Sequence, residues 1–242
     1  MKRAFVFKDE KSHKFWWIDY SGCDFAVNYG KAGAHGKYEI KEFESEAECE
    51  KQAEKLIASK LKKGYKETED FDFNNRFYFD DEEIGLHPKT SHPNFSKHFT
   101  DELYYDCGDE EAPFGSDEGS DTLYEMTEKL RKKPDLKFCD MPRMIIEDVW
   151  GMNYVSVTSL KEDDIKEQLK EDEMNITQSD MVTYAVAFGE IKITGKITAE
   201  LKENALKAMK RFKITAKILE WGEESNTLNK MIAELDEFKI LE

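Results

Sequence analysis

The chain has 242 residues with 39% hydrophobic and 12% aromatic content, enough for one large core or two of ordinary domain size, which excludes an intrinsically disordered protein. Its formal charge of −16 is unevenly spread: residues 1–67 hold 14 Lys/Arg against 12 Asp/Glu, a net of +2, and the remainder carries −18. That field opposes engagement of nucleic acid by the whole surface, so any such contact must be local.

The N-terminal run M-K-R-A-F-V-F-K-D-E breaks into charge after a short apolar stretch, too short for a secretory leader, and no apolar run approaches the roughly 20 residues that span a bilayer. The expectation is a cytoplasmic protein with no membrane contact. Residues 15–20 and 25–29 are aromatic-rich and are separated by S-G-C-D, which predicts a β-hairpin. Residues 38–43 alternate Tyr, Ile and Phe with charge, a third antiparallel strand reached through the glycine turn at Gly33–Gly36. Ser45 with Glu48 matches a capping box, and Ala47, Ala53, Leu56, Ile57 and Leu61 follow at near-helical spacing until Gly64. A small sheet with one helix thus closes a first domain over 1–67.

Residues 68–120 form an acidic, irregular region expected to pack on the domain that follows. It holds Pro88, Pro93 and Pro113, and from Glu69 to Glu125 there are 17 acidic residues against Arg76, Lys89 and Lys97. The last domain, 121–242, is expected to be mostly helical. Residues 121–133 and 161–172 carry apolar positions at three-and-four spacing. Residues 179–194, between Ser179 and Gly195, are read as a helix, although their Val, Tyr, Phe and Ile also suit a strand. Thr198 starts a further helix with a core stripe of Leu201, Ala205, Ala208, Met209 and Phe212 and a break near Lys213. Trp221 beside Gly222 closes the segment beyond that break, and Asn226 caps a last helix ending near Phe238. The fold class is α+β. Cys23, Cys49, Cys107 and Cys139 show no CxxC spacing and are expected reduced.

Four landmarks of the first domain, K-F-W-W-I-D-Y, V-N-Y-G-K-A-G-A-H-G-K, K-E-F-E-S-E-A-E-C-E-K and K-L-K-K-G-Y-K-E, resemble in order and spacing those of the WGR domain. The signature positions are Tyr29, Gly30, Lys31, Ala32, Gly33 and Gly36, with Tyr29 in place of the family's Trp and Lys31 in place of its Arg. The resemblance implies a compact antiparallel sheet with one helix. In the poly-ADP-ribose polymerases it implies detection of DNA breaks, with the motif aromatic against a sugar at the broken end. On that footing Tyr29, Gly30, Lys31, Gly33, Gly36 and Lys37 are the candidate nucleic-acid-binding residues and DNA ends the candidate partner. An aromatic face stacks, glycines admit phosphate to the backbone, and lysines supply charge. The alternative is a loop that only joins two strands, with Tyr29 half-buried beneath it. The acidic remainder bears no resemblance to an ADP-ribosyl-transferring fold.

A second constellation gathers His87, His92 and His98 with Asp106, Cys107 and Asp109, ligand types that suit zinc or manganese, at a spacing that matches no established metal motif. His87, His92, His98, Asp106 and Asp109 are the candidate ligands. No cofactor is otherwise expected. The run D-E-E-A-P-F-G-S-D-E-G (residues 109–119) resembles a segment of small bacterial proteins that join a WGR domain to an acidic, partly helical domain; the match implies architecture and no chemistry. In it Phe114 reads as a packing plug, and Ser116 and Asp117 as caps of the helix that follows. Two function classes result: a non-enzymatic nucleic-acid-associated or regulatory protein whose acidic domain recruits a protein partner, and a metal-dependent enzyme docked through its first domain. Catalytic residues are named for neither.

Overall fold

Period-two alternation runs through the first part of the chain and builds a five-stranded antiparallel sheet of order β4-β3-β2-β1-β5. Its strands are β1 (Lys2–Lys8), β2 (His13–Ser21), β3 (Asp24–Lys31), β4 (Lys37–Glu42) and β5 (Lys66–Thr68), with α1 (Glu46–Lys62) between β4 and β5. The computed structural model describes residues 1–221 and 225–239, and the chain divides into two compact units, Met1–Ser96 and Lys97–Glu242. Three of the strands and α1 are those expected from the sequence, whereas β1 and β5 are additions. Ser45 caps α1 by accepting from the Glu48 amide at 3.3 Å, and Gly64, at φ +86°, turns the chain out of it.

Trp16 and Trp17 are adjacent on β2 and both fully buried. Because neighbouring strand residues point to opposite faces, this sheet must be covered on both sides. On one side Phe5, Trp16, Ile18, Tyr20, Phe25 and Val27 pack with Cys49, Ala53 and Ile57 of α1. The other side is covered by the acidic, aromatic stretch that follows β5. Trp17 meets Tyr38 and Phe73 edge-on, each at 5.7 Å, and the Tyr38 hydroxyl donates to the Phe77 carbonyl at 2.9 Å. Asp81 accepts from the backbone N–H of Ile40 at 2.7 Å, which quiets the exposed edge of β4. Residues 68–96, expected to pack on the following domain, are therefore the second cover of the first unit's sheet.

The second unit is helical. Its elements are α3 (Asp117–Lys132), the short α4 (Met141–Met144) running into a π-turn over Ile145–Val149, α5 (Glu162–Thr194), α6 (Ala199–Ile218) and α7 (Asn226–Glu237). The six-residue α2 (Pro93–His98) precedes them. Ser116 caps α3, accepting from the Gly119 amide at 3.0 Å, so the helix starts four residues before the expected position.

The segments 161–172 and 179–194, read as separate helices, are halves of α5. They join at Asp172, whose backbone leaves the helical region (φ −158°, ψ 69°) and whose carboxylate accepts from the Asn175 amide, acting as an internal cap. Residues 182–193 of α5 are buried on every side. A helix wrapped all round by others loses its amphipathic stripe, which is why its composition also suited a strand.

No break occurs at Lys213. The β-branched run there stays helical because Ile214, Ile218 and Leu219 pack against Ile165, Leu169 and Ile176 of α5, and packing overrides propensity. Ser225, rather than Asn226, caps α7. Gly222, expected to follow a helix end at Trp221, lies outside the described residues. Among the described residues no helix is long and apolar enough to cross a membrane.

Two carboxylates lie inside this bundle. Asp180 receives the buried Arg211 guanidinium through both oxygens, at 2.9–3.1 Å. Among the described residues Glu190 has no cation partner; it accepts from the Thr198 amide at 3.2 Å, and burial raises its pKa to about 7. A raised carboxyl contributes stability that is complete below its unfolded pKa and is lost as pH rises through the folded value, here between about pH 4.5 and 7. Glu190→Gln keeps an acceptor for Thr198 and removes that titration. Thermal unfolding at pH 5 and pH 8 is expected to show the variant stabilised at pH 8 by up to about 3 kcal/mol and nearly unchanged at pH 5. An equal effect at both pH values would show that Glu190 does not titrate in this range.

Candidate nucleic-acid interface

The strand registers bring residues distant in sequence onto one end of the sheet. Across β1, β2, β3 and β4, Phe5, Trp16, Tyr29 and Lys37 are directly opposite one another, and the next row is Phe7, Lys14 and Lys31. Opposed residues share a face, so Lys14, Lys31 and Lys37 stand with Tyr29 on the α1 side of the sheet. Here α1 is ending. Its Lys60 ammonium lies 5.7 Å from the centre of the Tyr29 ring and 5.1 Å from that of Trp16. Lys62 and Lys63 follow in its exposed last turn. Lys14, Lys31 and Lys37 are exposed, and Tyr29 is half-buried. The four glutamates of α1, Glu46, Glu48, Glu50 and Glu54, lie in the first nine of its 17 residues.

Tyr29 packs against the core under α1, and its hydroxyl donates to Glu39 at 2.5 Å. That hydrogen bond, helped by burial, raises the phenol to about pKa 12, so it is a neutral donor throughout the physiological range. Glu39 also lies 3.6 Å from the Lys37 ammonium. Burial and the neighbouring Lys63 lower the pKa of Lys60.

The glycine turn is shaped by close approach. A Cβ on Gly36, which has φ +80°, would lie 2.7 Å from the Phe15 ring and 2.8 Å from the Asn28 amide, and one on Gly30 would lie 3.0 Å from Gly36 Cα. The Asn28 amide donates to the His35 carbonyl at 3.1 Å and the Arg76 guanidinium to the Ala34 carbonyl at 3.0 Å. Arg76 also covers the Phe15 ring at 4.2 Å, and His35 stacks on Phe77 at 4.7 Å. The turn is therefore held from its far side by the covering segment, while Gly33, with nothing near its Cβ position, stays open.

The candidate metal ligands are each used locally. His87 accepts at Nδ1 from the Lys89 amide at 3.0 Å. His92 is buried against Tyr78; its Nδ1 accepts from the Asn94 amide, which leaves Nε2 to donate to the Asn74 carbonyl at 3.0 Å. His98 donates to the Glu234 carbonyl at 2.8 Å. Asp106 and Asp109 accept from the amides of Gly108 and Glu111, closing turns. Among the described residues no group of three or more His, Cys, Asp or Glu side chains is arranged to hold a metal ion. The reason is physical: each imidazole already serves as a backbone staple. Burial also raises the Cys139 thiol, away from nucleophilic character.

Of the residues named from sequence, the structure joins Tyr29, Lys31 and Lys37 and adds Lys14 and Lys60, which sequence reasoning missed. The available signal was that Lys14 and Lys60 open the landmarks K-F-W-W-I-D-Y and K-L-K-K-G-Y-K-E. Residues 1–72 match the WGR domain family. The chain is 57% identical over 240 residues to "Uncharacterized protein YfeS" of Escherichia coli (strain K12), covering 98% of each. It is 45% identical over 65 residues to "Protein YehF" of the same organism, 27% of this chain and 24% of that protein. A crystal structure of a Bacteroides fragilis protein aligns over 43% of this chain and 31% of its own at 41% identity, with a TM-score of 0.28.

Proposed function

Because the chain belongs to the family of bacterial WGR-domain proteins that includes YfeS, we propose that it is a non-enzymatic nucleic-acid-associated protein that contacts DNA ends or single-stranded segments through the lysine-ringed face around Tyr29. The observation that carries this reading is the convergence of Lys14, Lys31, Lys37 and Lys60 on one aromatic side chain in a protein of net charge −16. Four cations on a small area neutralise phosphates, and the edge of a half-buried phenol ring offers a sugar or base an apolar contact. Tyr29 and Lys31 are a weaker stacking surface and a weaker phosphate fork than Trp and Arg, which favours transient, salt-sensitive binding. The acidic second unit repels a backbone and so confines the contact to this end.

The footprint tests the reading. Titrating isotope-labelled full-length protein with a nicked duplex is expected to move the amide signals of Lys14, Tyr29, Lys31, Lys37 and Lys60 together. Shifts confined to residues 97–239, or spread evenly over both units, would overturn it.

A further inference from the structure

The second unit contains a cavity of about 880 Å³ that the reading above does not use. Its apolar wall is Met181 and Tyr184 of α5 with Phe212 of α6 and Trp221. Tyr184 meets Phe212 edge-on at 6.3 Å, and Phe212 meets Trp221 at 5.9 Å, so the three rings form a continuous ladder. The two ends of that ladder are unusual. Trp221 is 51% exposed and follows Glu220, the one non-glycine among the described residues with positive φ (+56°). Tyr184 is 3% exposed and lines the cavity, and its hydroxyl makes no hydrogen bond among the described residues.

The rim has a definite sign. Glu110, Asp117 and Glu220 border the cavity with no ion-pair partner among the described residues. Two lysines also line the cavity, and each is engaged: Lys213 donates to Asn229 at 2.8 Å, and Lys217 lies 3.3 Å from Glu162. An exposed tryptophan over a buried aromatic wall is the usual anchor site of a protein interface, and unpaired carboxylates around it select a cationic surround.

We propose that this cavity is a docking site for a basic amphipathic peptide segment of a partner protein: a bulky apolar side chain enters between Tyr184, Phe212 and Trp221, and flanking Lys or Arg residues meet Glu110, Asp117 and Glu220. The volume is of the size that accepts a ligand of several side chains. The site is independent of the nucleic-acid face, so either can fail without the other.

The test uses the full chain and a fluorescein-labelled helical peptide of leucine, lysine and one tryptophan, read by fluorescence anisotropy. A peptide of the same composition scrambled to lose its apolar face, a lysine-only peptide and spermine serve as competitors. The amphipathic peptide is expected to bind saturably and to be displaced poorly by all three. Trp221→Ala, at an exposed position that leaves the fold intact, and the pair Glu110→Lys with Asp117→Lys are each expected to weaken binding about tenfold or more. The control pair Glu167→Lys with Glu171→Lys, on the exposed face of α5, is expected to leave it within about twofold. No saturable binding up to about 1 mM, equal displacement by the scrambled peptide or spermine, or equal losses in the control pair would each overturn the proposal.

Discussion

Replacing Arg211 by alanine is expected to lower the stability of the second unit by about 3–5 kcal/mol, the cost of leaving a buried carboxylate without its cation. The guanidinium is wholly buried in α6 and makes two kinds of bond. It grips both oxygens of Asp180 on α5, and it donates to the carbonyls of Ser156 at 3.1 Å and Val155 at 2.7 Å. Those carbonyls belong to the segment between the π-turn and α5, which has no regular structure and must find its partners among side chains. Ser179 accepts from the Val155 amide at 2.9 Å and Asn175 from that of Asn153 at 3.0 Å, so α5 and Arg211 together tie the segment down. Burial raises the Asp180 carboxyl and the guanidinium draws it back down; without Arg211 only burial remains. Chemical denaturation of the full chain is the measurement. Arg211→Lys should recover only part of the loss, because an ammonium cannot form the fork and reach two carbonyls. Asp180→Leu combined with Arg211→Met should cost less than either single change, since no charge is then stranded. A loss under about 1 kcal/mol for Arg211→Ala would refute the assignment of this pair as the organising contact of the unit.

The second large effect is expected in the A-P-F-G-S-D-E-G run. A Cβ on Gly115 would lie 2.0 Å from the Asp109 carbonyl oxygen, and one on Gly119 would lie 2.4 Å from that of Pro113. Both obstructions are backbone atoms, which cannot rotate aside. Ala112, Pro113 and Phe114, immediately before Gly115, are buried, and Ser116 caps α3, so the run folds back on itself at the helix start. Gly115→Ala and Gly119→Ala should each destabilise by roughly 3 kcal/mol or more. Gly108→Ala, at an exposed turn where the nearest obstruction is the Asp106 side chain at 3.3 Å, should stay within about 1 kcal/mol. Melting temperatures of the three variants decide the matter; equal, small shifts would mean the run tolerates a side chain and has no structural reason for its glycines.

Much of the first unit was legible because its signals are local: alternation in β2, β3 and β4, the Ser45 cap and the glycine turn. The second cover of the sheet was written in the sequence too, in the adjacent Trp16 and Trp17, since a strand with large apolar residues on both faces requires two partners. The covering stretch escaped because its aromatics are set among acids with no helical or strand period. In the second unit both halves of α5 were legible as helices but their joining across Asp172 was not, and the Asp180–Arg211 pair could not be read because an Arg within K-R-F-K looks like any solvated charge. The candidate site divides the same way. Tyr29, Lys31 and Lys37 lie in the signature, but Lys14 and Lys60 reach it through strand register and the landing of α1, which are properties of the fold.

The direct measurement is the affinity of the full chain for nicked, blunt and single-stranded DNA by fluorescence anisotropy as a function of salt. If Lys14, Lys31, Lys37 and Lys60 carry the contact, affinity should fall about a hundredfold between about 50 and about 200 mM salt, the dependence of three to four released counterions. Lys14→Glu with Lys31→Glu should abolish binding, and Tyr29→Ala should weaken it. No binding at the lowest salt, or binding that neither salt nor the paired charge reversal reduces, would contradict the account.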